Sequence, residues 1–258
     1  MNSLRVIAAL FALGLSAAPA AASGGWWDDI FEEKTVSLET ILKNPEAFRG
    51  LDVSFVIQFH KLGQIDNPYY TPFEKERYLN FSVWADGAAL WEKKVFEADF
   101  AYMFIDRIAE DCQTILQAGA YERFVVTGRV VSVFRGQPWI EVVGLKGIDR
   151  KLDEPTLIRM VKAYKLKSAR RFDAAAGEFK NAFGEKLPEG VQHLLHRESG
   201  LCFAAAHRYA DALVPLEKTV QMDPKDEEAA QVLAQCKKEL ESMPVPVSET
   251  GEKDAESK

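Results

Sequence analysis

His193 and His196 stand three residues apart in the stretch VQHLLHRES. On a helix that spacing puts two imidazoles on one face, where they could begin a metal site. A zinc site takes three or four protein ligands. Two histidines alone do not make one, so surface or packing roles are expected for them and no metal is assigned. The chain carries no nucleophile elbow, Gly-rich phosphate loop or acid–base signature. No catalytic residue and no cofactor are therefore assigned, and the chain reads as a non-enzyme. A second cluster could bind rather than react. Tyr69, Tyr70, Phe73, Tyr78, Phe81, Trp84 and Trp91 follow one another closely, and exposed rings of this kind stack on bases or sugars. A nucleic-acid groove would need a basic stripe beside them. Between Thr35 and Leu152 there are 14 Lys and Arg against 16 Asp and Glu, so nucleic acid is excluded as a partner. Core or inter-domain packing is expected for most of these rings. Tyr69, Tyr70, Trp84 and Trp91 stay open as a ligand surface. Arg123, Arg129 and Arg135 share one strand parity and could line a face, or lie over apolar surface with their heads in water.

The elements that position these residues fall between two distinctive ends. The chain has 258 residues, is 47% hydrophobic and 28% charged, and carries a formal charge of −7. That composition suits packed cores in one or two domains. Residues 1–22 join a positive start, MNSLR, to the apolar run VIAALFALGL and the small residues SAAPAAA. This is the pattern of a secretory signal peptide, too short to span a bilayer. A periplasmic or secreted protein with no integral membrane segment after cleavage is the expectation. Residues 23–34 read as a linker. Cys112, Cys202 and Cys236 are too few and too far apart to staple a small secreted domain. Residues 243–258 are polar and punctuated by proline, so a disordered tail is expected.

Between these ends the hydrophobic period changes once. From Thr35 to about Asp149 the pattern is mostly strand-like. Ser37 can cap a short helix, LETILKN, which Pro45 closes. DVSFVIQFH and YLNFSVWA read as strands on either side of the loop KLGQIDNPYYTPFEKERY. RIAEDCQTILQA reads as helix. RFVVTGRVVSVF and PWIEVVGL then read as a hairpin turning at Arg135-Gly136-Gln137. From about Asp153 the period is helical and alanine becomes common.

The β-rich half, on its strand order and the phrase VTGRVVSVFRGQPWIEV, resembles an OB-type barrel, with Gly128 at a bend. A generic β-rich α+β domain is the alternative. The segment GLCFAAAHRYADALVPLEKTVQMDP resembles the tetratricopeptide repeat, a helical hairpin of about 34 residues. Gly200, Phe203, Tyr209, Ala212, Leu216 and Pro224 match the family pattern, while His196 replaces its Trp and Ser199 its Leu. An earlier unit, ARRFDAAAGEFKNAF, repeats the register 37 residues before, and DEEAAQVLAQCKKELE supplies a capping helix. The fold class is therefore α+β multidomain, with an OB-like barrel over 35–152 and repeat-like helical hairpins over 153–242.

Arrays of this family bind proteins along a concave face. The resemblance puts Leu157, Met160, Tyr164, Leu194, Arg197, Leu201 and Ala204 on that face. The function expected is an exported, non-enzymatic adaptor for a protein partner. A small-ligand or glycan-binding barrel with the helices as flank is the alternative. Two repeats are few, so the helices are expected to lean on the barrel.

Overall fold

The structure, a computed structural model, describes residues 35–65, 67 and 69–242. The expected signal peptide, linker and tail lie outside the described residues. The N-terminal half is a closed barrel of five strands: β1 (Asp52–Leu62), β2 (Tyr78–Ala85), β3 (Phe100–Asp106), β4 (Arg123–Phe134) and β5 (Gln137–Ile148). Around the barrel they run β1-β2-β3-β5-β4. All pairings are antiparallel except β3 with β5, which sets Met103 beside Ile140. Helix α1 (Leu38–Lys43) is capped by the Ser37 hydroxyl, which accepts from the Thr40 N–H. A 3-10 turn at Pro45–Phe48 follows. The short α2 (Lys93–Phe96) lies between β2 and β3, and α3 (Cys112–Gln117) between β3 and β4. Alternate residues of each strand point inward. Phe55, Ile57, Phe81, Met103, Val126 and Ile140 meet there, joined by Leu38 and Ile41 of α1 and Ile115 of α3. Gly128 is required by this packing: a Cβ on it would sit 2.8 Å from Ile140 Cγ2 and 3.0 Å from Phe55 Cε1.

The strand β3 was not read in the sequence, and the helix expected over 107–118 is confined to Cys112–Gln117. Arg123, Arg129 and Arg135 do not line one face. Arg123 and Arg129 keep one parity, because the extra residue at the first β4–β5 register shift is Val143 on β5; at the second it is Val131 on β4, which takes Arg135, in the turn beyond, out of that alternation.

The helical half runs α4 (Glu154–Ser168), α5 (Phe172–Asn181), α6 (Glu189–Ala205), α7 (Tyr209–Met222) and α8 (Glu227–Ser242). Asp153 caps α4, its carboxylate accepting from Thr156 N at 2.7 Å. Small side chains let the helices approach. Ala163, Ala175, Ala176, Ala212 and Ala229 are all buried in one cluster. The approach is tight at Gly200, where a Cβ would lie 2.7 Å from Leu216 Cγ and 3.2 Å from the Leu216 backbone nitrogen. The three cysteines are free and buried.

The cluster that holds the helices together is not made by helices alone. Trp84 and Leu90 belong to it, with Trp91, Val95, Phe96 and Tyr121 packed against it. The stretch 86–99 therefore serves both halves. A clamp fixes its base. Arg123, buried, donates Nε and Nη2 to the two Asp86 carboxylate oxygens, both at 2.8 Å, and Nη1 to the Arg150 carbonyl at 2.8 Å.

Two outcomes are expected. Gly200→Ala should cost about 1–3 kcal/mol through overpacking. Gly177→Ala, in α5 with nothing within 4 Å of the new methyl, should be neutral or stabilise by about 0.4–1 kcal/mol. Urea unfolding of the two variants checks this, and equal losses would refute the crossing point. Asp86→Ala removes two charge-assisted hydrogen bonds from the buried Arg123 guanidinium. Asp86 is itself about a third exposed, so the expected loss lies at or below the lower end of the range for buried pairs, about 2–3 kcal/mol. The same titration measures it.

Candidate functional site

Two surfaces could carry function: the helical face that the repeat resemblance implies and one aromatic cavity of the barrel. On the first, α4 presents Leu157, Met160 and Tyr164, and α6 presents Leu194, Arg197, Leu201 and Ala204. Leu157 and Met160 are buried. They belong to the shared core and cannot meet a partner, which corrects their expected place on an open groove. The barrel's connecting segment packs against the same cluster. The Trp91 ring stacks on Tyr164 with centroids 5.8 Å apart and planes at 11°. From the other side, Phe179 meets Tyr164 edge-on at 5.1 Å. Burial lifts the Tyr164 phenol well above its ordinary value, and the carboxylates of Glu198 and Glu92 push the same way.

Arg197 is not a free interface anchor either. Its Nε donates to Asp226 Oδ2 at 2.7 Å and its Nη2 to Glu228, so it ties α6 to the start of α8. Burial acts to raise the Asp226 pKa, but the Ala229 N–H and the Arg197 guanidinium together hold it below its ordinary value. Glu198, buried beside it, takes an ion pair from Lys167. What remains of the face is Leu194, Leu201 and Ala204, each half-buried.

The aromatic residues divide by role. Tyr69 is 94% exposed. Trp84 is buried, stacked between His60 at 4.1 Å and Tyr121 at 5.6 Å, and its Nε1 donates to the Phe96 carbonyl. It is a packing residue, and with Trp91 it leaves the expected ligand surface. Of the four, Tyr70 lines a cavity. That cavity, about 370 Å³, takes Ile65 and Tyr70 from the β1–β2 loop and Tyr102 from β3. Phe134, Arg135, Gln137 and Trp139 come from the β4–β5 hairpin. Tyr70 stacks flat on Phe134 at 5.1 Å, and Tyr102 meets Trp139 edge-on at 4.8 Å. Trp139 is 1% exposed, and its Nε1 hydrogen finds no acceptor among the described residues. A buried donor left so costs about 1–3 kcal/mol. Sequence reasoning missed Tyr102 and Trp139. The available signal was Trp139, two residues beyond the turn Arg135-Gly136-Gln137.

Two apparent chemical groupings are structural. His60 Nδ1 lies 2.7 Å from Asp99 Oδ2 and 3.5 Å from Ser82 Oγ. Serine and carboxylate share one nitrogen, so the ring cannot pass a proton between them. Ser82 is also buried. His196 packs on the Phe183 ring at 4.5 Å, and burial lowers its pKa. Among the described residues, no three His, Cys, Asp or Glu side chains gather as metal ligands, and no helix is long and apolar enough to cross a membrane.

No family model and no curated protein matches the chain. Among solved structures it aligns with the crystal structure of a multi-domain immunophilin from Arabidopsis thaliana, at 15% identity and a TM-score of 0.27, over 72% of this chain and 88% of that one. A superposition that loose bears on neither fold nor function.

Proposed function

We propose that the chain is an exported, non-enzymatic adaptor whose helical half holds a protein partner on the α6 end of its concave face. The partner segment is extended and presents an aromatic or aliphatic side chain to Leu194, Leu201 and Ala204. The observation that carries this is the seating of Trp91 on Tyr164. One end of the face already takes an aromatic side chain from a connecting segment of this chain. Leu201 stands 37 residues after Tyr164, at the equivalent position of the next hairpin. Its neighbours there are half-buried apolar side chains, and such a stripe is a usual mark of a partner surface. The face is short because its first positions are filled from within.

Leu201→Glu tests this reading. The carboxylate would sit half in solvent, so the variant should unfold within about 1 kcal/mol of the parent. It should also lose the partners that crosslinking in the native envelope recovers with the parent. A folded Leu201→Glu chain that captures every one of them sinks the adaptor reading. Trp91→Ala is expected to behave oppositely. Removing a half-buried indole from the shared core should cost about 1–3 kcal/mol, below the range for a fully buried Trp, and Trp91→Phe should recover most of it. Chemical denaturation followed by circular dichroism separates the two.

A further inference from the structure

We propose that the barrel cavity binds a small ring-bearing carboxylate, independently of the helical face. Three observations converge there. The walls are aromatic: Tyr70 stacked on Phe134, and Tyr102 edge-on to Trp139. Such walls hold a flat or chair-shaped ring by its face. The floor is Trp139, whose Nε1 hydrogen has no acceptor among the described residues although the side chain is buried. Native proteins pair nearly all such groups with protein atoms or ordered water; an acceptor brought in by a ligand would satisfy this one. The rim carries Arg135, whose guanidinium lies over the Phe134 ring at 5.4 Å. Among the described residues it makes no ion pair with a carboxylate. Its backbone is held at φ 52° by the two-residue turn with Gly136, a conformation that glycine, asparagine or aspartate adopts more easily.

These donors fix the chemistry. Indole N–H and guanidinium offer hydrogen and no lone pair, so their complement is an acceptor-rich, negatively charged group. Charge-assisted pairing with Arg favours a carboxylate. The volume, about 370 Å³, is near the low end for ligand pockets and suits one ring with its substituents. A long polyanion is disfavoured, because the barrel half holds more acidic than basic residues. The ring acid has two possible sources, an aromatic acid or an acidic sugar.

The test is a titration of the full chain, ¹⁵N-labelled, reading the indole N–H resonances. Trp139→Phe identifies the relevant one by its loss. Should that variant fail to fold, the nuclear Overhauser contact between the indole proton and the Tyr102 ring identifies it instead. Benzoate and glucuronate are the two probes, with benzyl alcohol and glucose as uncharged counterparts. The expected result is a saturable downfield shift of the Trp139 resonance with at least one acid. Its uncharged counterpart should bind at least about 10-fold more weakly, the ratio that one net charge-assisted hydrogen bond gives. Arg135→Gln should weaken the acid by a similar factor and leave the counterpart unchanged. A shift with benzoate alone identifies an aromatic acid, with glucuronate alone an acidic sugar, and either supports the site. No saturable shift with either acid overturns the proposal. So does an uncharged counterpart that binds as tightly as its acid, or an Arg135→Gln chain with unaltered affinity.

Discussion

A stack of helical hairpins has two open ends, and each end exposes the apolar side of a helix that expects a neighbour. In longer arrays further repeats supply that neighbour, and about three are needed for stability. Here α4 and α5 form one hairpin, α6 and α7 a second, and α8 stands alone. At the far end α8 closes the stack itself, burying Ala229 and Cys236 while most of its remaining side chains stay in solvent. At the near end the barrel closes it. Leu90 and Trp84 enter the same buried cluster as Met160, Ala163 and Phe179, and Trp91 lies on Tyr164. The clamp of Arg123 on Asp86 and Arg150 fixes both the start of the covering segment and the approach to α4. The backbone bond from Lys151 N to the Lys186 carbonyl ties that approach to the loop before α6. The barrel keeps a core of its own, and the helical cluster takes its near end from the barrel side.

That constraint explains why the helical half was legible and its binding face was not. Gly200, Ala212 and Leu216 are spaced by the helix period, and their meaning is local: small residues where two helices cross. The structure places Gly200 against Leu216. Whether a concave position is open depends on what lies over it, and Trp91 is far from Tyr164 in sequence. Nothing near Leu157 or Met160 marks them as covered. The same reason separates the strands that were read from the one that was missed. β1, β2, β4 and β5 carry β-branched runs or a turn signal beside them. β3, FAYMFID, has no turn dipeptide before it and follows the brief helix α2. Its place is set by pairing with β2 and, in parallel, with β5. The cavity inherits that difficulty, because Tyr102 and Trp139 come together only when β3 and β5 pair.

The aromatic residues illustrate how one composition serves three purposes. Trp84 is enclosed by His60, Phe96 and Tyr121, and its indole hydrogen goes to the Phe96 carbonyl. Trp91 joins the halves by ring stacking. Trp139 is as buried as Trp84 but has no acceptor for its indole hydrogen among the described residues. Amino-acid type does not distinguish them, and neither does burial alone. The hydrogen-bond account does, because desolvating an N–H is tolerated only where something accepts from it.

The arginines sort by the same rule. Arg123, Arg129, Arg197 and Arg208 each hold a carboxylate at 2.6–2.8 Å. Such charges are committed to the fold, and a ligand anion would have to displace a carboxylate that is already tethered nearby. Arg135 pays no such competition, since the charge beside it is the face of the Phe134 ring. An attraction of that kind is worth about 0.5–1 kcal/mol at an exposed site, well below a charge-assisted hydrogen bond of about 1.5–3 kcal/mol. A carboxylate reaching the rim would therefore gain the guanidinium without breaking a stronger bond. With Trp84 and Trp91 occupied by packing and Arg197 held in ion pairs, that free cation on the rim, together with the unpaired indole, is what favours the cavity as a binding site over a gap between strands.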